Sequence, residues 1–111
     1  MGLAINRALI KAKVPQDEIL AQTAEEAAEL AQACLKLRRA IRGDNPTPVS
    51  SAEATQDLLE EWADVLLCMQ LLGDDYIPYQ VPIENYMIYK AQRWADRLNA
   101  VQTIHEGGDD P

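Results

Sequence analysis

Two short acidic segments of the chain share one pattern. Both read Glu-Glu-x-Ala-acid-aliphatic, the first over residues 25–30 and the second over residues 60–65. Side chains three or four residues apart lie on the same face of a helix. The spacing therefore predicts that Glu26 and Glu29 share one helix face and that Glu61 and Asp64 share another. Carboxylate pairs of this kind are the oxygen ligands that bind divalent cations in proteins.

The faces that carry these carboxylates are otherwise apolar. The residues that follow each pair at helical spacing are Leu30, Ala33, Leu37 and Ile41 in the first segment and Val65, Cys68 and Leu72 in the second. Carboxylates are rarely buried unless they are paired or bind a metal. No matching set of basic residues lies on these two faces, so four converging carboxylates would repel one another. We therefore expect Glu26, Glu29, Glu61 and Asp64 to bind a metal, and hard oxygen ligands favour Mg²⁺ or Mn²⁺.

Solvent exposure is the ordinary alternative for a Glu-x-x-Glu pair on a helix. On that interpretation the chain is a non-enzymatic helical interaction module, whose acidic pairs tune assembly or bind a basic partner, or a module that only binds nucleotides. The repetition of the motif in line with two apolar stripes favours the metal site. Glu25 and Glu60 lie beside the stripes, where solvent exposure or support of the ligands is expected, although Glu25 could join the site and help to orient water.

A basic stripe marks the C-terminal third of the chain. Tyr86, Lys90, Arg93 and Arg97 follow one another at helical spacing. Lysine and arginine suit phosphate oxygens, so Lys90 and Arg93 are candidate substrate-binding residues, the alternative being a solvated face or salt bridges to the acidic helices. A second basic cluster, at the end of the first long helix, is predicted to be structural because cations there complement the helix dipole: Lys36, Arg38, Arg39 and Arg42.

The elements that must position these residues are predicted to be helices. Gln16 to Arg42 runs without a breaker between Pro15 and Gly43. Ser50 and Glu53 have the spacing of a capping box and open a second long helix to about Leu72. A third helix is predicted from Ile83 to about Gln102, and residues 1–13 have a weaker pattern for a short leading helix.

The remaining segments are predicted to be irregular. Residues 43–48 have the composition of a loop, and residues 74–82 contain two prolines and favour an extended connection. The polar tail, from about residue 104 to 111, is expected to be disordered. The sequence thus predicts an all-α bundle with two long central helices and a third, C-terminal helix. Their long apolar stripes need further cover, which predicts a homo-oligomer.

Length and charge limit the classes of partner. With 111 residues the chain suits a single domain, and its net charge of −8 disfavours a nucleic-acid polymer. A free triphosphate would be repelled too, so a nucleotide ligand requires cations. No apolar run is long enough to span a membrane or to resemble a signal peptide. Cys34 and Cys68 lie inside predicted helices at core-like positions, which favours a reducing cytoplasm over a disulfide framework.

The acidic motifs resemble those of the MazG-like branch of the all-α nucleotide pyrophosphohydrolases. That family carries Glu-Glu-x-x-Glu on one helix and Glu-x-x-Asp on the next, represented here by Glu25-Glu26-x-x-Glu29 and Glu61-x-x-Asp64. The resemblance extends to the Asn45-Pro46-Thr47-Pro48 linker and the Tyr89-Lys90-x-x-Arg93 segment, and spans roughly residues 22–98. The linker between the two acidic motifs is longer than is usual in the family.

The resemblance implies an activity for the whole chain as one domain. Members hydrolyse a nucleoside triphosphate to the monophosphate and pyrophosphate, with a divalent metal, as dimers or tetramers. On this basis Glu26, Glu29, Glu61 and Asp64 are expected to hold Mg²⁺ or Mn²⁺, which would activate water and neutralise phosphate charge. Lys90 and Arg93 are expected to bind the outer phosphates.

Overall fold

The computed structural model describes residues 2–43, 49–72 and 80–108; for residue 80 and residues 102–108 it describes the backbone alone. Four helices make up the secondary structure of these residues. They are α1 (Leu3–Lys13), α2 (Gln16–Arg42), α3 (Ser51–Leu71) and α4 (Gln80–Gly108). The predicted all-α class is confirmed. None of the helices in the described ranges has the length and apolar character needed to cross a lipid bilayer.

The bounds of α2 are those predicted from its flanking residues. Pro15 is extended, with φ −61° and ψ 151°, and its fixed φ suits the entry to a helix. Gly43 ends the helix in the left-handed region with φ 73°, a conformation that glycine adopts without steric cost. Its N–H donates to the carbonyl oxygen of Arg39 at 2.9 Å. Both ends of α2 are therefore set by local chemistry.

The start of α3 is fixed by the predicted cap. The Ser50 hydroxyl oxygen accepts a hydrogen bond from the Glu53 N–H at 3.1 Å, which satisfies one of the free donors at the helix start. The helix ends at Leu71, and the N–H of Leu72 still donates to the carbonyl oxygen of Cys68 at 3.1 Å. The predicted end at about Leu72 is correct to within one residue.

Helix α1, for which the sequence pattern was weak, spans Leu3–Lys13 and contacts α3. A guanidinium nitrogen of Arg7 donates to the side-chain oxygen of Gln70 at 2.6 Å. The N–H of Val14 donates to Ile10, and the chain then enters Pro15 in extended conformation. Helix α1 therefore lies against the end of α3 that is farthest from the Ser50 cap.

Helix α4 is longer than the sequence predicted. It begins at Gln80 rather than Ile83 and runs to Gly108 rather than about Gln102. Pro82 lies in its first turn, where the missing N–H removes no intrahelical hydrogen bond. The expectation of an extended connection is therefore wrong for residues 80–82, and the backbone of residues 104–108, for which disorder was expected, continues the helix. The predicted irregular segments 44–48, 73–79 and 109–111 lie outside the described residues.

The chain forms two compact units, Met1–Tyr76 and Ile77–Pro111. In the first unit, α2 and α3 pack against each other. The pair is antiparallel: Lys36, late in α2, contacts Asp57, early in α3, whereas Glu26 and Glu29, earlier in α2, lie beside Glu61 and Asp64, later in α3. The buried side chains of the described residues are all in this unit: Ile19, Ala33, Ala54, Cys68 and Leu71. Only Ala54 is fully enclosed, so the core of one chain is small.

Large apolar side chains remain exposed on both units. Trp62 on α3 is 52% exposed and Trp94 on α4 is 69% exposed. Met87, Leu98 and Val101 on α4 are exposed as well, and the apolar stripe predicted on α2 ends before Ile41, which is also exposed. Cys34 is exposed as well, so its predicted core-like position is wrong, whereas Cys68 is buried as predicted.

Candidate metal centre

Four carboxylates converge on the seam between α2 and α3. Glu26 and Glu29 come from α2, and Glu61 and Asp64 come from α3; each offers one oxygen, and the four oxygens lie within 4.8 Å of one another. Antiparallel packing produces this arrangement, because it sets the i,i+3 pair of one helix beside the i,i+3 pair of the other. The structure thus brings together the four residues that the sequence singled out, and such a cluster could hold a metal ion.

Two oxygens of this cluster are buried without a partner. Glu26 and Glu61 are partly buried, whereas Glu29 and Asp64 are exposed. The Oε2 atoms of Glu26 and Glu61 are inaccessible to solvent and receive no hydrogen bond. Burying a carboxylate oxygen without a donor is unfavourable, and native structures rarely leave one unsatisfied. A cation between the helices would satisfy both atoms, so the residues present fit a metal.

The electrostatics of the cluster also favour a positive partner. The Gln22 amide donates to Glu26 Oε1 at 2.7 Å, which lowers the pKa of Glu26, but partial burial and repulsion from Glu29 and Asp64 outweigh it and leave that pKa raised. The pKa of Glu29 is raised as well, first by its hydrogen bond with Glu61 and by repulsion from that carboxylate. The negative charge concentrated here therefore favours either a bound proton or a bound cation.

Cys68 borders the cluster on α3. Burial raises the pKa of its thiol; a hydrogen bond with Thr23 opposes this shift, and the charges of Glu26 and Asp64 add to it. Among the described residues, the ligand atoms that converge are those of Glu26, Glu29, Glu61 and Asp64, and the Cys68 sulfur is not one of them. The donor set that remains is made of oxygen alone, which suits hard cations such as Mg²⁺ and Mn²⁺.

Two cavities flank the cluster along the α2–α3 seam. The larger has a volume of about 610 Å³, and its charged wall residues are the carboxylates Glu29, Asp57 and Glu61 and the cations Lys36 and Arg39; we call it the basic groove after these two cations. The smaller, of about 200 Å³, is lined by Ile10, Val14, Glu18, Ile19, Gln22, Cys68 and Leu71; we call it the apolar pocket. Because α2 and α3 are antiparallel, the two cavities lie at opposite ends of the carboxylate cluster.

The basic groove contains cations that the sequence had assigned to another role. Lys36 and Arg39 were predicted to support the helix end, yet both line the groove beside Glu29 and Glu61. The Lys36 ammonium lies 2.7 Å from a carboxylate oxygen of Asp57 on α3. A signal was available in the sequence: Lys36 follows Glu29 by seven residues, the spacing that returns to the same helix face after two turns.

The remaining predicted site residues lie outside the carboxylate cluster. Glu25 is exposed on α2, and Glu60 is exposed on α3. Lys90 and Arg93 line a pocket of about 250 Å³ on α4 with Trp94 and Arg97. The guanidinium carbon of Arg93 lies 5.6 Å from the centroid of the Tyr89 ring, a cation–π distance. These α4 residues belong to the second compact unit, and their contact with phosphate stays a prediction.

In the part of the chain that the structure describes, the site is an all-carboxylate cluster on a helical hairpin with a cation-lined groove beside it. No family model, curated protein or solved structure matches the chain.

Proposed function

We propose that this chain is a Mg²⁺-dependent nucleoside triphosphate pyrophosphohydrolase, which cleaves a ribo- or deoxyribonucleoside triphosphate to the monophosphate and pyrophosphate. The observation that carries the proposal is the pair of buried, unpartnered oxygens of Glu26 and Glu61 inside a four-carboxylate cluster. The resemblance of the two acidic motifs to the MazG-like family supports the same reaction.

The dimensions of the cluster suit one or more small cations. Oxygens on opposite sides of a Mg²⁺ ion are about 4.2 Å apart. Carboxylate oxygens that already lie within 4.8 Å of one another need only small side-chain movements to share such an ion. Mn²⁺ accepts the same donors. A bound divalent cation would supply an activated water and would neutralise charge on the phosphate oxygens.

The chain's own residues are proposed to orient the metal ligands and the attacking water and to bind the phosphate oxygens. Gln22 fixes the orientation of Glu26 through its hydrogen bond. Lys90 and Arg93 are proposed to bind phosphate oxygens, and Glu25 is proposed to orient water from its exposed position beside the cluster. Cationic help of this kind is needed because the net charge of −8 repels a polyphosphate.

The proposed working form is a homo-dimer or tetramer. Exposed apolar side chains on α3 and α4, including Trp62, Leu66, Trp94 and Leu98, offer surface for another subunit. The proposed location is the cytoplasm, where the free thiols Cys34 and Cys68 stay reduced.

The test is a panel of nucleoside triphosphates with Mg²⁺, scored for pyrophosphate against orthophosphate release. We expect pyrophosphate release that EDTA stops and that Glu61→Gln abolishes. Glu60→Gln is the matched control, because Glu60 is exposed and outside the cluster. Two results together would favour the interaction-module alternative. No nucleotide would release pyrophosphate with either Mg²⁺ or Mn²⁺, and Glu61→Gln would leave folding and assembly unchanged.

A further inference from the structure

We propose that the basic groove binds the pyrophosphate end of the substrate, with Lys36 and Arg39 as its cationic ligands. This assignment rests on the proposed function, names the place where the leaving pyrophosphate is held, and adds Lys36 and Arg39 to the phosphate ligands Lys90 and Arg93 proposed above. It gives a role to two residues that helix-end electrostatics alone would explain as structural.

The groove is continuous with the carboxylate cluster. Glu29 and Glu61 belong to both, so a group that extends from the cluster enters the groove directly. Lys36 is about 10 Å and Arg39 about 15 Å farther along α2 than Glu29, from the rise of a helix. Side chains lean toward the N-terminus of their helix, so those of Lys36 and Arg39 extend back toward the cluster.

The charged residues of α2 change from acidic to basic directly after Glu29, the last carboxylate of the cluster on this helix. Every charged residue of α2 up to Glu29 is acidic, and every charged residue after it is basic. Helix α3 carries acids but no lysine or arginine. The cations of the α2–α3 hairpin are thus on one side of the cluster, and the groove collects two of them. Arginine suits this task because its planar fork binds phosphate oxygens in pairs.

The opposite end of the seam does not suit phosphate. The apolar pocket is walled by Ile19, Cys68 and Leu71, and its wall includes Glu18 but no lysine or arginine, whereas the basic groove has two cations. A polyphosphate that reaches the cluster is therefore favoured to extend into the basic groove. The uncharged part of the nucleotide is then directed toward the apolar pocket.

Asp57 already places a carboxylate against Lys36 in the groove. The Lys36–Asp57 ion pair has a distance of 2.7 Å, and both side chains remain partly open to solvent, at 37% and 45%. Exposed ion pairs contribute little to stability, so a phosphate oxygen can replace the carboxylate at small cost. Asp57 is thus a competitor for Lys36, and neutralising it should strengthen phosphate binding.

The probe is inorganic pyrophosphate with Mg²⁺, titrated calorimetrically into the full chain and its variants. We expect Lys36→Gln and Arg39→Gln each to weaken binding about 10- to 100-fold, the loss of one charge-assisted contact. Arg38→Gln, the matched control on the same helix outside the groove, should leave binding unchanged. Asp57→Asn should tighten it. Circular dichroism establishes that each variant folds.

Equal affinity in Arg39→Gln and Arg38→Gln, or weaker binding in Asp57→Asn, would overturn the assignment. Failure of the proposed function gives a different result: the wild-type chain would bind magnesium pyrophosphate through Lys36 and Arg39 but hydrolyse no triphosphate. If instead the chain hydrolyses triphosphates and pyrophosphate inhibits the Lys36 and Arg39 variants as strongly as the Arg38 control, the function stands and the groove assignment fails.

Discussion

Glu29 of α2 and Glu61 of α3 place carboxylate oxygens within 4.8 Å of each other across the helical hairpin. The pKa of Glu29 is raised, because its protonated carboxyl can donate a hydrogen bond to Glu61 and because the two ionised groups repel each other. Two ionised carboxylates at this separation oppose the packing of the helices that carry them. The packing of α2 on α3 is therefore coupled to whatever neutralises the pair, whether a proton, a cation or a substitution.

Magnesium should stabilise the chain against thermal unfolding. At a hundredfold excess over the Kd, binding to the folded state alone raises the melting temperature by about 10 °C for a domain of this size. Glu61→Gln should lose this shift and Glu60→Gln should keep it. Differential scanning fluorimetry with and without Mg²⁺ measures both. An equal shift in Glu61→Gln would show that the ion binds elsewhere.

Neutralising Glu29 should stabilise the metal-free chain in a pH-dependent way. The pKa of Glu29 in the folded state is raised from 4.5, so the folded state binds its proton more tightly than the unfolded state does. The resulting stability is present below pH 4.5 and is lost as the pH rises through the raised pKa. Glu29→Gln should therefore be more stable than wild type at pH 7 and should lose this advantage at pH 4. Urea unfolding in EDTA measures the difference; a gain of equal size at both pH values would contradict it.

Lys90 and Arg93 should contribute to substrate binding. Replacing either by Ala removes a charge-assisted contact of about 1.5–3 kcal/mol, which is about 10- to 100-fold in kcat/KM. Arg42→Ala serves as the control for loss of one positive charge. Steady-state kinetics in excess Mg²⁺ compares the three variants. An unchanged kcat/KM in both α4 variants would show that Lys90 and Arg93 do not contact the substrate and belong to an ordinary solvated face.

Oligomerisation should be measurable directly. The chain mass is 12.4 kDa, and the proposal requires a multiple of it in solution at micromolar concentration. Exposed residues such as Trp62 and Trp94 give the physical reason, since one chain leaves them in water. Light scattering coupled to size-exclusion chromatography gives the mass. A monomer with full activity would contradict the prediction.

The parts of the fold that the sequence predicted best have strong local signals. Pro15 and Gly43 bound α2 by fixing backbone angles, and Ser50 with Glu53 caps α3 by a hydrogen bond within one turn. Helix α4 lacks such signals at its ends, because Pro82 is compatible with several positions in a first turn and a polar composition does not forbid a helix. The predicted start, Ile83, is therefore three residues too late, and the predicted end, about Gln102, is about six residues too early.

The carboxylate cluster was predictable because repetition and helical spacing are visible in one chain read alone. The spacing of Lys36 from Glu29 indicates a shared helix face, but the basic groove itself was not predictable, because it depends on the register between two helices. Lys36 meets Asp57 only once α2 and α3 are aligned, and no spacing within α2 indicates which α3 residue lies opposite. The last turn of α2 also offered a sufficient explanation, the helix dipole, for the same cations.

The segment that joins α2 to α3 runs from a left-handed glycine at residue 43 to a serine cap at residue 50, and all four cluster carboxylates lie on the two helices it connects. The carboxylates of the two helices are separated by 32 residues (Glu29 and Glu61) to 38 residues (Glu26 and Asp64), so they meet only when α2 and α3 pack. In the absence of a cation, repulsion between the two acidic pairs opposes this packing. A divalent cation should therefore accelerate the folding of the hairpin as well as slow its unfolding, so that the ion acts on the folding rate of the chain.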